Sequence, residues 1–242
     1  MNLYEMSPKI YDKYTTITIE KEAFKAVFKE VKKEYKKHKK LEILDLCCGT
    51  GIFPRLFLKK LKNIKYVGVD INKEFINWGK SKLKNKDYSF FIKDAITYKS
   101  NKKSDIILMT SAYHHIIDNN KVPFLNTAKK HLKSGGKIIF YEKVVAPWKN
   151  LQEQIQSGTE FYKERIYHLL AKEKVSNTIL FALYDEMYLT AIRKEEQKVD
   201  YNYILSDFKK AGMKVEFEKR IWPRTNVFAN NKVGDFLFVL TI

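Results

Sequence analysis

Between residues 41 and 142, short apolar runs alternate with stretches whose apolar positions recur at helical spacing. Leu41 to Leu46, Tyr66 to Asp70, Tyr88 to Ile92, Asp105 to Thr110 and Lys137 to Glu142 read as five strands. Helices fall between them at about Pro54 to Lys62, Lys73 to Leu83 and Pro123 to Leu132, and Ser134-Gly135-Gly136 reads as a turn. Pro54 suits a first helical turn, where its missing N–H costs little. Nearly all-apolar strands alternating with helices imply a parallel sheet covered on both faces. A further helix is expected near residues 20 to 38. There Phe24, Val27, Phe28, Val31 and Tyr35 form the core-facing stripe, and Lys32, Lys33, Lys36, Lys37, Lys39 and Lys40 are left largely to water.

Beyond Glu142 the alternation stops. Residues 149 to 195 carry two helical patterns without a strand between them, broken near Lys172 to Ser176, where Ser176 is placed to cap the second helix. A helix near Asp200 to Ala211, ended by Gly212, leads into strand Met213 to Ile221 and then directly into strand Phe236 to Ile242. Two strands joined without a helix are expected to pair antiparallel. The whole reads as one α/β domain over residues 1–242: a doubly wound, Rossmann-like, seven-stranded sheet, mostly parallel with the last strand antiparallel. An N-terminal helical region covers 1–40, and a helical lid insertion covers 149–195 between strands five and six.

Composition narrows the class. With 45% hydrophobic residues and only five prolines in 242, the chain can bury a sizeable core. No run approaches the roughly 18 to 20 apolar residues of a membrane-spanning helix. The N-terminus lacks the apolar stretch of a secretory signal, so a cytoplasmic location is expected. Cys47 and Cys48 are adjacent, poorly placed for a structural disulfide and too few for a metal site, so no metal is expected. A formal charge of +18 raises a nucleic-acid partner, but lysine is spread along the whole length, which fits a solvated surface better than a dedicated patch.

The segment Ile43-Leu44-Asp45-Leu46-Cys47-Cys48-Gly49-Thr50-Gly51 runs from a strand into a helix. Glycines at such a turn let the backbone approach a ligand, and the helix start supplies free N–H groups. Asp70 ends the next strand, where a doubly wound fold sets a carboxylate against ribose hydroxyls, and Asp94-Ala95 follows the third. Together these residues resemble the cofactor motifs of class I S-adenosylmethionine-dependent methyltransferases, with Cys47 where the commonest glycine loop has Gly, as in the quinone C-methyltransferase-like, small-molecule branch. The resemblance implies S-adenosyl-L-methionine as cofactor. It gives Asp45, Gly49 and Gly51 to the methionine and sulfonium end, Asp70 to the ribose, Asp94 and Ala95 to the adenine, and Thr110 and Ser111 to the reacting face, with Cys47, Thr50 and Ile71 as further cofactor-binding residues. The loop is not G-x-G-x-x-G, which disfavours a dinucleotide.

Methyl transfer is an in-line displacement, and a base is needed only for a nucleophile that arrives protonated. Tyr113, His114 and His115, just beyond strand four, are the catalytic candidates, His114 or His115 as the base. Glu142, at the end of strand five, is a weaker one. Topology offers Trp222, Arg224 and Asn226 to a substrate, with Arg224 suited to a carboxylate or phosphate. Tyr11, Tyr14, Phe161, Tyr162, Tyr167, Tyr184 and Tyr188 are candidates for an aromatic lid. The expected function is methylation of a small, anionic or aromatic acceptor at O, N or C. RNA methylation and a non-catalytic cofactor-binding protein stay open as alternatives.

Overall fold

The computed structural model describes residues 6–83 and 85–242; the first five residues of the expected N-terminal helical region lie outside it. Helices α1 (Pro8–Tyr14) and α2 (Thr18–His38) precede β1 (Leu41–Leu46). There follow α3 (Ile52–Leu56), β2 (Ile64–Asp70), α4 (Lys73–Lys82), β3 (Tyr88–Ile92), β4 (Ser104–Thr110), α5 (Asp118–Lys130) and β5 (Leu132–Val144). The chain closes with α6 (Leu151–Lys172), α7 (Asn177–Ala191), α8 (Tyr201–Lys210), β6 (Lys214–Trp222) and β7 (Gly234–Thr241).

The strands form one sheet in the order β3-β2-β1-β4-β5-β7-β6. The first five are parallel, and β7 runs antiparallel to both β5 and β6. This is the expected seven-stranded doubly wound sheet. One core, around Phe124, Phe140, Phe208 and Phe238, fills one face. A second, around Val27, Val31, Tyr66 and Tyr141, fills the other under α2, whose lysines at 32, 33, 36 and 37 stay exposed. A third cluster lies under α6 and α7 and includes Tyr14, Phe161, Tyr162 and Trp222.

Element boundaries differ where local geometry overrides propensity. Helix α5 starts at Asp118, five residues before the start expected at Pro123, and carries Pro123 inside it. Helix α3 ends at Leu56, followed by a 3-10 turn over Leu58–Lys60. The Ser134-Gly135-Gly136 turn is absorbed into β5: Gly135 takes φ +73°, and the pairing with β4 jumps from Leu132 to Lys137. Ser176 is the N-cap residue of α7, but its carbonyl, not its hydroxyl, accepts the first amides, from Ile179 and Leu180. On either side of β1 the chain proceeds in opposite directions, to β2 and to β4, and ligands of open α/β sheets bind outside the carboxyl ends of strands at such a point.

Candidate active site

A cleft of about 480 Å³ opens at that point, a volume suited to a small molecule. Cys47, Gly49, Asp70, Ile71, Asp94, Ala95 and Ser111 line it, as expected, together with Tyr11, Tyr14 and His115. A deeper, smaller cavity continues from it past Asp45, Cys47, Thr110, Ser111 and His114. Residues from four strand ends and α1 therefore meet at one place.

The glycine loop is shaped by left-handed backbone. Gly49 has φ +56°, and a Cβ there would lie 3.1 Å from the Tyr11 hydroxyl. Cys47 adopts φ +65° without being glycine, a conformation that costs of order 1–3 kcal/mol. That conformation gives the physical reason for glycine being the commonest residue at this position. Burial next to Asp70 pushes the Cys47 thiol well up, so it stays protonated.

Asp70 accepts the Gly49 and Asn72 amides, each at 2.8 Å, which fixes its carboxylate at the cleft. Asp94 accepts the Ile96 amide at 2.8 Å. Asp45 is 1% exposed; Tyr66 donates to its Oδ2 at 2.6 Å, and its Oδ1 has no hydrogen-bond partner. Burial pushes Asp45 up to about 7, despite the Tyr66 hydrogen bond. A buried carboxylate oxygen facing a cavity without a donor is suited to a cationic ligand group.

Two residues of the loop act differently from expectation. Thr50 is fully buried and lines neither cavity; its hydroxyl donates to Asp12 at 2.6 Å. Gly51 sits against Phe90, 2.7 Å from where a Cβ would be, and serves loop packing. Asp12 also accepts Arg55 at 2.6 Å and the Trp78 indole at 2.8 Å. This partly buried hub ties α1 to α3 and α4 and brings Tyr11 over the cleft, where it packs on Phe75 with ring centroids 4.8 Å apart.

At the acceptor end, His114 Nδ1 makes a short hydrogen bond to Glu142 Oε1, and both residues are buried. Glu142 also accepts the Lys143 amide at 2.7 Å and the His114 amide at 3.2 Å. Burial pushes Glu142 up to about 7, and burial together with Lys198 pushes His114 well below its usual range. The imidazole is therefore neutral, and His114 Nε2 lies 3.7 Å from Glu196. His115 lines both cavities with its Nδ1 3.7 Å from the same carboxylate. His114, His115 and Glu196 thus bring three potential metal-ligand atoms within 4.8 Å, but Glu196 is already ion-paired to buried Lys198.

Several expected substrate residues lie elsewhere. The Tyr113 hydroxyl points away from the cleft and donates to Asp207 at 2.6 Å. Glu142 lines neither cavity and stands behind His114. Tyr162, Phe161 and Trp222 are packed in the third cluster, because the apolar face of α6 is directed onto the end of β6. Tyr167, Tyr184 and Tyr188 face solvent on the outer sides of α6 and α7. Arg224 is 77% exposed and pairs with Glu22 at 3.3 Å, and Asn226 accepts from Arg220. Of the aromatic candidates, Tyr11 and Tyr14 reach the cavities.

Sequence reasoning missed the carboxylates and cations that complete this end. Glu186 on α7 lines both cavities and accepts the Tyr14 hydroxyl at 2.7 Å. Glu20 accepts Arg165 at 2.6 Å and pairs with Lys143 at 3.3 Å, and Arg165 also donates to both oxygens of Asp235, at 2.8 and 2.9 Å. One signal was available: Arg165 interrupts the apolar stripe Phe161, Tyr162, Ile166 and Leu169, and a charge buried on a core face requires partners.

A family model described as Methyltransferase domain matches residues 37–206. The chain belongs to this methyltransferase family. It is an S-adenosylmethionine-dependent methyltransferase, and the free Oδ1 of Asp45 and the ordered carboxylate of Asp70 fit that cofactor's cationic and ribose ends. The chain is 27% identical over 210 residues to malonyl-[acyl-carrier protein] O-methyltransferase 2 of Ilyobacter polytropus, covering 86% of this chain and 75% of that protein. An uncharacterized methyltransferase of Bacillus cereus is 28% identical over 131 residues, 54% of this chain and 58% of that one. Among solved structures, the plantazolicin methyltransferase BpumL, in complex with a monoazolic desmethylPZN analog and SAH, shares the fold. Its TM-score is 0.62 at 17% identity, over 96% of this chain and 88% of that one. So does an S-adenosylmethionine-dependent methyltransferase from Clostridium acetobutylicum, with TM-score 0.58 at 13% identity over 90% and 92% of the two chains.

Proposed function

We propose that this enzyme methylates a small acceptor whose nucleophile arrives protonated, and that His114 and Glu142 together take that proton. The observation that carries the reading is the buried His114–Glu142 contact, on a side chain that lines the cavity next to the cofactor loop. Bound S-adenosylmethionine supplies an electrophilic methyl group on a sulfonium. Asp45 offers its free oxygen to the cationic end, Asp70 accepts the ribose hydroxyls, and Ile71, Asp94 and Ala95 hold the adenine. Helices α1, α6 and α7 act as the lid that excludes water.

The base acts as a pair. With Glu142 ionised, the Nδ1–H of His114 donates to it and leaves Nε2 as the acceptor toward the cavity. An acceptor O–H or N–H then loses its proton to Nε2 as the new bond forms. Because Glu142 titrates at about 7, this tautomer gains population as pH rises through neutrality.

The cavity lining supports an acceptor that is neutral or cationic near the reacting atom, not the anionic one that Arg224 suggested. Glu186 and Glu196 face the cavity, and Lys143 is already paired with Glu20. The malonyl group in the Ilyobacter relative's name ends in a carboxylate, which this lining disfavours. The same lining supports a small molecule over RNA, whose phosphates require unpaired cations.

The test is transfer from labelled S-adenosylmethionine to a panel of small phenols, alcohols and amines. His114→Asn and Glu142→Gln are each expected to lower kcat by about 10²–10³-fold with cofactor affinity unchanged. Full turnover in both variants, or activity confined to RNA, would overturn the reading.

A further inference from the structure

We propose that the acceptor is a primary amine, bound as its ammonium ion, and that Glu186 is the residue that selects it. The proposal rests on the reading that the nucleophile arrives protonated and gives its proton to His114, and it names the chemical class of that nucleophile. Glu186 on α7 is 6% exposed and lines both the cleft and the deeper cavity. The deeper cavity, about 40 Å³, admits a head group of a few atoms. The cations at this end are already taken: Lys143 pairs with Glu20, Arg165 with Glu20 and Asp235, and Lys198 with Glu196. Among the described residues Glu186 enters no ion pair, and it is held by a neutral donor, the Tyr14 hydroxyl, at 2.7 Å. Burial, then the Glu186 charge, pushes the Tyr14 hydroxyl well up, so it stays a donor. A nearly buried carboxylate that faces a cavity and has only a neutral partner calls for a cationic ligand.

The same carboxylates discriminate nitrogen from oxygen. Glu196 stands 3.7 Å from His114 Nε2, so a group that donates to that nitrogen lies beside a carboxylate oxygen. The ammonium passes one proton to Nε2, the freed lone pair forms the new N–C bond, and the carbon–sulfur bond breaks with its electron pair left on sulfur. Positive charge thus moves onto the acceptor nitrogen, where Glu186 stabilises it as it develops. An alcohol or phenol reacts through a developing oxygen anion, which the same carboxylates oppose. Lys143, the cation that also lines the deeper cavity, is committed to Glu20 and Ser111, 3.3 Å from each.

The test compares benzylamine with benzyl alcohol and butylamine with butanol. Labelled methyl transfer from S-adenosylmethionine is expected to show kcat/KM at least about tenfold higher for each amine than for its alcohol. Calorimetric titration of the protein saturated with S-adenosylhomocysteine is expected to show saturable binding of the amines and weaker binding of the alcohols. Glu186→Gln is expected to lose about tenfold or more of the amine kcat/KM, with cofactor affinity unchanged and the difference between amine and alcohol narrowed. Equal or better use of the alcohols, or no transfer to either amine, would overturn the proposal. So would a Glu186→Gln variant that loses cofactor affinity and keeps the amine preference, because the carboxylate would then serve the cofactor. The amine and the base fail separately. Alcohol transfer abolished by His114→Asn keeps the base and removes the amine; amine transfer sensitive to Glu186→Gln but not to His114→Asn keeps the amine and removes the base.

Discussion

The cofactor half and the acceptor half of this cleft are built on different principles. Around β1, β2 and β3 the ligand-facing groups come from short consecutive segments, 45–49, 70–72 and 94–96, and the carboxylates of Asp70 and Asp94 are held by backbone amides. At the other end Tyr14, Glu20, His114, Glu142, Arg165, Glu186 and Asp235 come from six helices and strands and one short turn, and are held by one another's charges. Backbone geometry makes the first half robust and readable; mutual charge compensation makes the second half fragile and specific.

That contrast can be broken first in the acceptor half. Arg165→Leu leaves Glu20 with Lys143 alone and strips Asp235 of its cation in a fully buried setting, which is expected to destabilise the fold by about 3–5 kcal/mol. Chemical denaturation measures it, and a loss under 1 kcal/mol would show the network to be dispensable. In the cofactor half a smaller, local effect is expected. Asp70→Ala should weaken cofactor binding by about 1.5–3 kcal/mol through lost hydrogen bonds to a charged acceptor, read by calorimetry. Unchanged affinity in the folded variant would remove Asp70 from the site. The smallest effect sharpens the backbone argument: Cys47→Gly, at φ +65°, should raise stability by about 1 kcal/mol by relieving left-handed strain. A destabilised Cys47→Gly would show that the side chain's packing outweighs that strain.

The same contrast explains what the sequence disclosed. The alternation of strands and helices, the antiparallel final pair and the cleft-lining Asp45, Cys47, Gly49, Asp70, Asp94 and Ala95 were legible because each rests on local pattern: apolar runs, a glycine turn, a carboxylate at a strand end. Glu186 and Glu196 were not, since nothing near them in sequence marks them as facing a cavity. Asp12 was equally silent, because its partners Thr50, Arg55 and Trp78 lie 38 to 66 residues away. Tyr184 and Tyr188 looked like lid residues by type alone, and the rotation of α7, set by burial of Ile179 and Leu183, turned them outward.

The central claim is that S-adenosylmethionine occupies this cleft with Asp45 as the charged partner of its cationic end. Calorimetric titration at pH 8 and pH 6 tests it most directly. Burial holds Asp45 near 7, so it is mostly ionised at the higher pH and mostly protonated at the lower. The account predicts saturable binding that weakens about tenfold as pH falls from 8 to 6, and a pH-independent, weaker affinity in Asp45→Asn. Absence of saturable binding, or equal affinity at both pH values in the unmodified protein, would contradict it.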